Sequence, residues 1–326
     1  MSDPVLFFEK PKLNNPSLIA AWPGMGNVAI TAVTYLKEHL GAKPLGEIED
    51  LDFFAPTGAT ISNQLIQKPV RARNQFYYYQ SPTKQHDLIL FIGSVQPIPH
   101  REYEFARAIL ESVMGFHPGM VYTTAAAPSD MKFRDTPRVF AVPNEQSLLN
   151  QISEYHVHFM TEGNIAGLNG LLIAIAAELG LPGVCLLGEI PFFTAQMDFP
   201  RASLNVLDVM TKLLKLKIDL LDLELYVSQK EREIEPLANL LNKEEQNEKI
   251  ESVSREKPEM KVVTQEEPVP KAVRSRVEKL FTQAEFDQTY KSKMKLKEEL
   301  DKWGLFDEYL DRFLDLFKKD QNESES

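Results

Sequence analysis

A single cysteine, Cys185, excludes a disulfide within the chain, and its place inside the apolar run GVCLLG reads as a small buried core residue rather than a nucleophile. Long apolar runs are missing too. None approaches the roughly 20 residues that a membrane-spanning helix requires, so no membrane span is expected. The opening MSDPVLFFEK has no basic segment followed by a long apolar stretch, which argues against a secretory leader. Together with the lone thiol, this points to a cytoplasmic setting. Positive charge is scarce: the formal net charge is −11, whereas binding a phosphate backbone requires concentrated positive charge, so no nucleic acid partner is expected. The six histidines are scattered. His156 and His158 alternate along an expected strand and share one face, but a metal site would need a third ligand there. No Ser-His-Asp or Cys-His arrangement can be assembled from spacing. No catalytic residue, metal or cofactor is therefore expected.

What is present is an architecture. Residues 19–31, IAAWPGMGNVAIT, form an apolar run that stops at Trp22-Pro23, turns through Gly24 and Gly26, and restarts as a helix. Proline cannot continue a central strand and glycine tolerates positive φ, so Pro23-Gly24-Met25-Gly26 is a turn for steric reasons. Val28, Ala32, Val33, Leu36 and Leu40 then recur at helical spacing up to a stop at Gly41. Extended segments are expected at 43–48, 60–66 and 75–80, with a polar loop at 52–58, and the three tyrosines beside Phe76 enrich the last strand in aromatics. DLILFIGS is an uninterrupted apolar run of the kind buried on both faces of a sheet, and a helix finishing near Gly115 follows it. Further strands are expected at 120–124, 138–142, 156–160 and 183–187, with helices at 145–154 and 171–179. Strands alternating with helices imply an α/β fold with a mostly parallel or mixed sheet flanked by helices.

The texture changes after Pro200. Helical spacing continues to about residue 241, so one α/β domain over residues 1–243 is expected. Residues 244–275 are rich in Glu, Lys, Pro and Ser with few apolar side chains, and they read as a flexible linker. A small helical hairpin is expected at 276–320, where Thr282-Gln283-Ala284-Glu285 matches a capping box and Gly304 breaks the pattern. Leu305, Phe306, Tyr309, Leu310, Phe313 and Phe317 make an apolar stripe there. The stripe either packs within the hairpin or enters a partner's groove.

Ligands in open α/β sheets bind beyond the carboxyl ends of the strands, which makes three turns candidates for one cleft. They contribute Pro23, Gly24, Gly26 and Asn27, then Ser94, then Glu162, Asn164 and Gly167. As a site they would hold a nucleoside-like or small anionic ligand, with Glu162 accepting from hydroxyls and helix amides receiving the anion. As plain structure, the glycines permit close packing of strand on helix, and Glu162 and Asn164 cap a helix. PGMGN lacks the third glycine of a dinucleotide fingerprint and the Gly-Lys-Ser/Thr of a P-loop.

At WPGMGNVA, and again at FMTEGNIAGLNGLLI followed by ELGLPGVCLLGEIP, the chain resembles the proteasome assembly chaperone 2 family and its archaeal and bacterial relatives over about residues 16–225. The resemblance implies a nucleoside phosphorylase-like α/β fold without the enzymatic residues. It also implies a cytosolic assembly chaperone or scaffolding protein that acts through protein contacts, forms homo-oligomers and has the proteasome or another multi-subunit complex as partner. Chaperones of this family can dock through a C-terminal hydrophobic-Tyr-X tripeptide, whereas this sequence finishes Ser324-Glu325-Ser326.

Overall fold

The apolar run SLIAA becomes a strand whose Leu18, Ile19, Ala20 and Ala21 have no exposed surface, because it lies centrally in a sheet with helices on both faces. The computed structural model describes residues 5–48, 53–54, 61–67, 72–83, 86–253 and 271–318. Contacts divide the chain into two units, Met1–Ser228 and Gln229–Ser326. In chain order the elements are β1 (Val5–Phe7), β2 (Ser17–Ala21), α1 (Val28–His39), β3 (Lys43–Ile48), β4 (Ile61–Ser62), β5 (Leu65–Ile66), β6 (Asn74–Tyr79), β7 (Leu88–Gly93) and α2 (Glu102–Val113). They continue as β8 (Met120–Ser129), β9 (Val139–Pro143), α3 (Gln146–Ile152), β10 (His158–Phe159), α4 (Leu168–Glu178), β11 (Gly183–Pro191), α5 (Pro200–Leu213) and α6 (Leu221–Val253).

One mixed sheet takes nine strands in the order β1-β3-β6-β7-β2-β8-β11-β9-β10. Its centre, β7-β2-β8-β11, is parallel. Antiparallel β6, β3 and β1 extend one side, and β9 runs antiparallel to β11 on the other. Helices α1 and α5 pack together over one face, while α2 and α4 cover the opposite one. Side chains alternate accordingly. Leu18, Ala20 and Trp22 join Ile89, Phe91, Cys185 and Leu187 in a core with Phe105 and Ile109 of α2 and Leu172 of α4. Phe91 is its hub, with ring centroids 4.7 Å from Phe76, 5.4 Å from Trp22 and 6.1 Å from Phe105. Each such side chain contributes about 1.5–3 kcal/mol by leaving water. Burial pushes the Cys185 thiol up to about 12, so it stays protonated and unreactive.

Several local expectations change. The expected 60–66 strand is the two-residue ribbon of β4 and β5, separate from the main sheet; the 52–58 loop falls largely outside the described residues. His156 takes a left-handed conformation, φ 56°, ahead of β10, so it does not share a strand face with His158. The segment expected as a linker from 244 is helical as far as Val253, the end of α6, while 254–270 lie outside the described residues.

In the second unit the expected hairpin is three helices, α7 (Lys271–Asp287), α8 (Tyr290–Lys302) and α9 (Phe306–Lys318). Thr282 caps nothing. It lies inside α7, and its hydroxyl donates to the Glu278 carbonyl at 3.0 Å. Val273, Val277, Phe281 and Ala284 form one buried stripe that runs through this position and carries the helix past it. The cap is Thr289, whose Oγ1 accepts from the Ser292 amide at 3.3 Å at the start of α8. The α9 stripe is turned inward. Leu305, Phe313 and Phe317 are buried, Tyr309 lies 5.6 Å from the Phe281 ring, and Phe306 lies 5.4 Å from Phe313. Lys293 sits 4.6 Å over Phe317, and Arg312 lies 4.2 Å over Phe281 while reaching Glu278 at 2.7 Å. Most of the stripe is therefore packed inside the unit against α7 and α8, with Phe306, Tyr309 and Leu310 half-buried at its edge.

Candidate functional site

The carboxyl ends of β2 and β7 lie side by side in the parallel centre, and each opens into one of the expected turns. After β2, Gly26 has φ 62° and Asn27 φ 50°, two successive left-handed residues that swing the chain from strand to α1. A phosphate cradle needs free amides, and these are engaged. The Gly26 amide donates to the Ala195 carbonyl at 3.0 Å, the Asn27 amide to the Gly24 carbonyl at 2.9 Å, and the Gly26 carbonyl accepts from Phe199 at 2.9 Å. The Asn27 side chain donates to Asp198 at 2.6 Å, and Asp198 also accepts from Tyr226 at 3.1 Å. This corner is bolted to the segment between β11 and α5. Only Gly24 is open, with nothing near the place a Cβ would occupy, while Pro23 is half-buried beside it.

Ser94, after β7, also serves the backbone. Its Oγ accepts from the Arg73 amide at 2.7 Å and its own amide donates to the Arg73 carbonyl at 2.9 Å. The preceding Gly93 is required by space, since a Cβ there would lie 2.3 Å from the Trp22 ring. The third turn joins through Gln96, which sequence reasoning missed. Its Nε2 donates to the Pro23 carbonyl at 3.0 Å, and a Cβ on Gly167 would lie 3.8 Å from its Oε1. Pro23, Gln96 and Gly167 thus meet at one point. Glu162 and Asn164 do not: both are exposed and make no hydrogen bond among the described residues. Nor do they cap α4, whose N-cap is Gly167 with no side-chain bond.

Around this junction several buried polar atoms find no partner among the described residues: Trp22 Nε1, both amide atoms of Asn74, Gln96 Oε1 and Asn169 Oδ1. Asn169 is otherwise anchored, its carbonyl accepting from the Thr123 hydroxyl at 2.7 Å.

A second buried polar centre lies farther along the long strands β8 and β11. Glu189 is 3% exposed and accepts from Arg138 Nε at 2.8 Å, Arg138 Nη2 at 2.5 Å, the Arg138 amide at 3.1 Å and the Ser129 hydroxyl at 2.8 Å. Burial alone would raise its pKa, but the Arg138 and Ser129 bonds outweigh that and hold the carboxyl below its usual range. One signal for it existed in sequence: a carboxylate inside the apolar run GVCLLGEIP demands a partner. No group of three or more His, Cys, Asp or Glu side chains with metal-binding geometry occurs among the described residues. No helix among them is long and apolar enough to cross a membrane.

Comparison with known proteins follows the same boundaries. An uncharacterised protein of Methanocaldococcus jannaschii, MJ1210, is 27% identical over 214 residues, covering 65% of this chain and 79% of its own. The crystal structure of PbaB of Pyrococcus furiosus, an archaeal proteasome activator, superposes with a TM-score of 0.63 at 26% identity, covering 72% of this chain and 97% of its own. PbaA of the same organism, an archaeal homolog of proteasome-assembly chaperone, shares the fold with a TM-score of 0.56 at 23% identity, covering 74% of this chain and all of its own. The PAC2 family matches residues 18–238, from the central strand β2 through the strand-end corner, the Gly167 junction and the Glu189 strand into α6, and to that family the chain belongs.

Proposed function

We propose that this protein is a non-enzymatic assembly chaperone or scaffolding protein of the proteasome, acting in the cytoplasm through protein contacts and self-associating through its α/β unit. The observation that carries the proposal is the likeness to the proteasome activator PbaB, which at 26% identity extends over 97% of that chain. The strand-end corner agrees with it: amides that a phosphate-binding enzyme would turn toward substrate are used here to fasten the chain to itself. The test is reconstitution. Purified protein mixed with proteasome subunits, or with assembled core particle, from the same organism should co-elute on size exclusion and should change the rate of assembly or of peptide hydrolysis. A chain truncated after Val253 keeps α6 whole and removes α7, α8 and α9, which separates the contribution of those three helices. Neither co-elution nor a change in either rate would sink the proposal.

A second reading, a ligand-binding enzyme or sensor, is favoured by one observation, the unpartnered buried polar atoms around Gln96 and Asn169. A nucleoside or small anion bound there raises the melting temperature, because a ligand that binds only the folded state stabilises it. Thermal-shift screening with nucleosides and with phosphate distinguishes this reading, and a flat response to both counts against it.

A further inference from the structure

A cavity of about 250 Å³ opens at the opposite, amino-terminal edge of the central strands. Its lining includes Ser17 at the start of β2, Met120 and Tyr122 at the start of β8, and Leu148, Gln151 and Ile152 of α3, together with His86, Tyr155 and the end of α5. Ser17 and Tyr122 are each 7% exposed, and neither hydroxyl has a hydrogen-bond partner among the described residues. Both residues line the cavity. Two hydroxyls that line one cavity without a bond to the protein are free to meet a ligand's polar atoms. Burial pushes the Tyr122 hydroxyl up to about 12, so it remains a neutral donor.

Size and charge narrow the ligand. A cavity of about 150 Å³ suffices for benzene, so this one takes one or two rings. The lining contains no Asp, Glu, Lys or Arg; an ion would lose its hydration without gaining a countercharge, which favours a neutral molecule. Leu148, Ile152 and Leu214 supply buried apolar walls suited to a flat ring. We propose that this cavity binds a small, uncharged heteroaromatic molecule, its ring against Leu148, Ile152 and Leu214 and its polar edge on the Ser17 and Tyr122 hydroxyls. This site is independent of the proteasome reading and of the strand-end junction.

The test uses the full chain and titrates it with adenine, nicotinamide and, as a charged ring of similar size, benzoate, followed by calorimetry or by NMR of the tyrosine rings. Saturable one-to-one binding of adenine or nicotinamide with a Kd of about 1 mM or tighter is expected. Benzoate should bind more weakly. Tyr122→Phe removes one neutral hydrogen bond and should weaken binding about three- to tenfold. Gln151→Trp, placed on the exposed rim where it disturbs no core packing, should block the mouth and abolish binding, with circular dichroism checking that both variants are folded. Absence of saturable binding by either neutral probe, or an affinity unchanged in both variants, would overturn the proposal.

Discussion

A carboxylate in the middle of an apolar strand has to be compensated, and Glu189 accepts four hydrogen bonds from Arg138 and Ser129. Because its folded pKa is depressed, the stability it contributes is present above the usual carboxylate range and is lost as pH falls through the folded pKa. Glu189→Gln should lower stability at neutral pH by about 1–3 kcal/mol, as expected for hydrogen bonds to a charged group. It should also flatten the loss of stability as the pH falls through and below the usual carboxylate range. Urea denaturation across that window checks both, and a variant with the wild-type pH dependence would refute the assignment. At the same scale, the turn at Pro23 to Gly26 was legible because proline and glycine restrict backbone geometry by sterics alone. That the Gly26 amide points back into the protein was not legible, since its acceptor, Ala195, comes from a distant part of the sequence.

Elements with a strong repeating pattern were readable in advance. The apolar runs of β2, β7 and β11 have no polar face to solvate, which places them at the centre of a covered sheet. The helix start in the second unit was misread. Thr282 and Glu285 have the capping-box spacing, but the buried stripe from Val273 to Ala284 outweighs a local signal worth about 1 kcal/mol. Two substitutions separate the alternatives. Thr289→Ala should cost about 0.5–2 kcal/mol through loss of the α8 cap; Thr282→Ala should stay within about 0.5 kcal/mol of wild type. Thermal melts of both variants decide it, and the reverse order would restore the capping box to Thr282.

For the whole molecule, the resemblance visible in WPGMGNVA and GNIAGLNGLLI is now membership of the PAC2 family over residues 18–238. Self-association of the α/β unit is a prediction at this scale. Sedimentation equilibrium should give a mass that is a multiple of the 37.1 kDa chain and that survives removal of α7, α8 and α9 by truncation after Val253 as a multiple of the shorter chain. A monomer at micromolar concentration would remove homo-oligomerisation from the proposed function.

The amino-acid sequence by itself determined the alternation of strands and helices in the α/β unit, the double-sided burial of the central strands and the position of the strand-to-helix corner. These depend on hydrophobic period and on the sterics of proline and glycine, which act between near neighbours. Tertiary structure alone decided what the corner does. Gln96 reaches Pro23 across 73 residues, Arg138 reaches Glu189 across 51, and Asn27 reaches Asp198 across 171. No local pattern encodes such pairings, because they exist only once the sheet has brought its strand ends together.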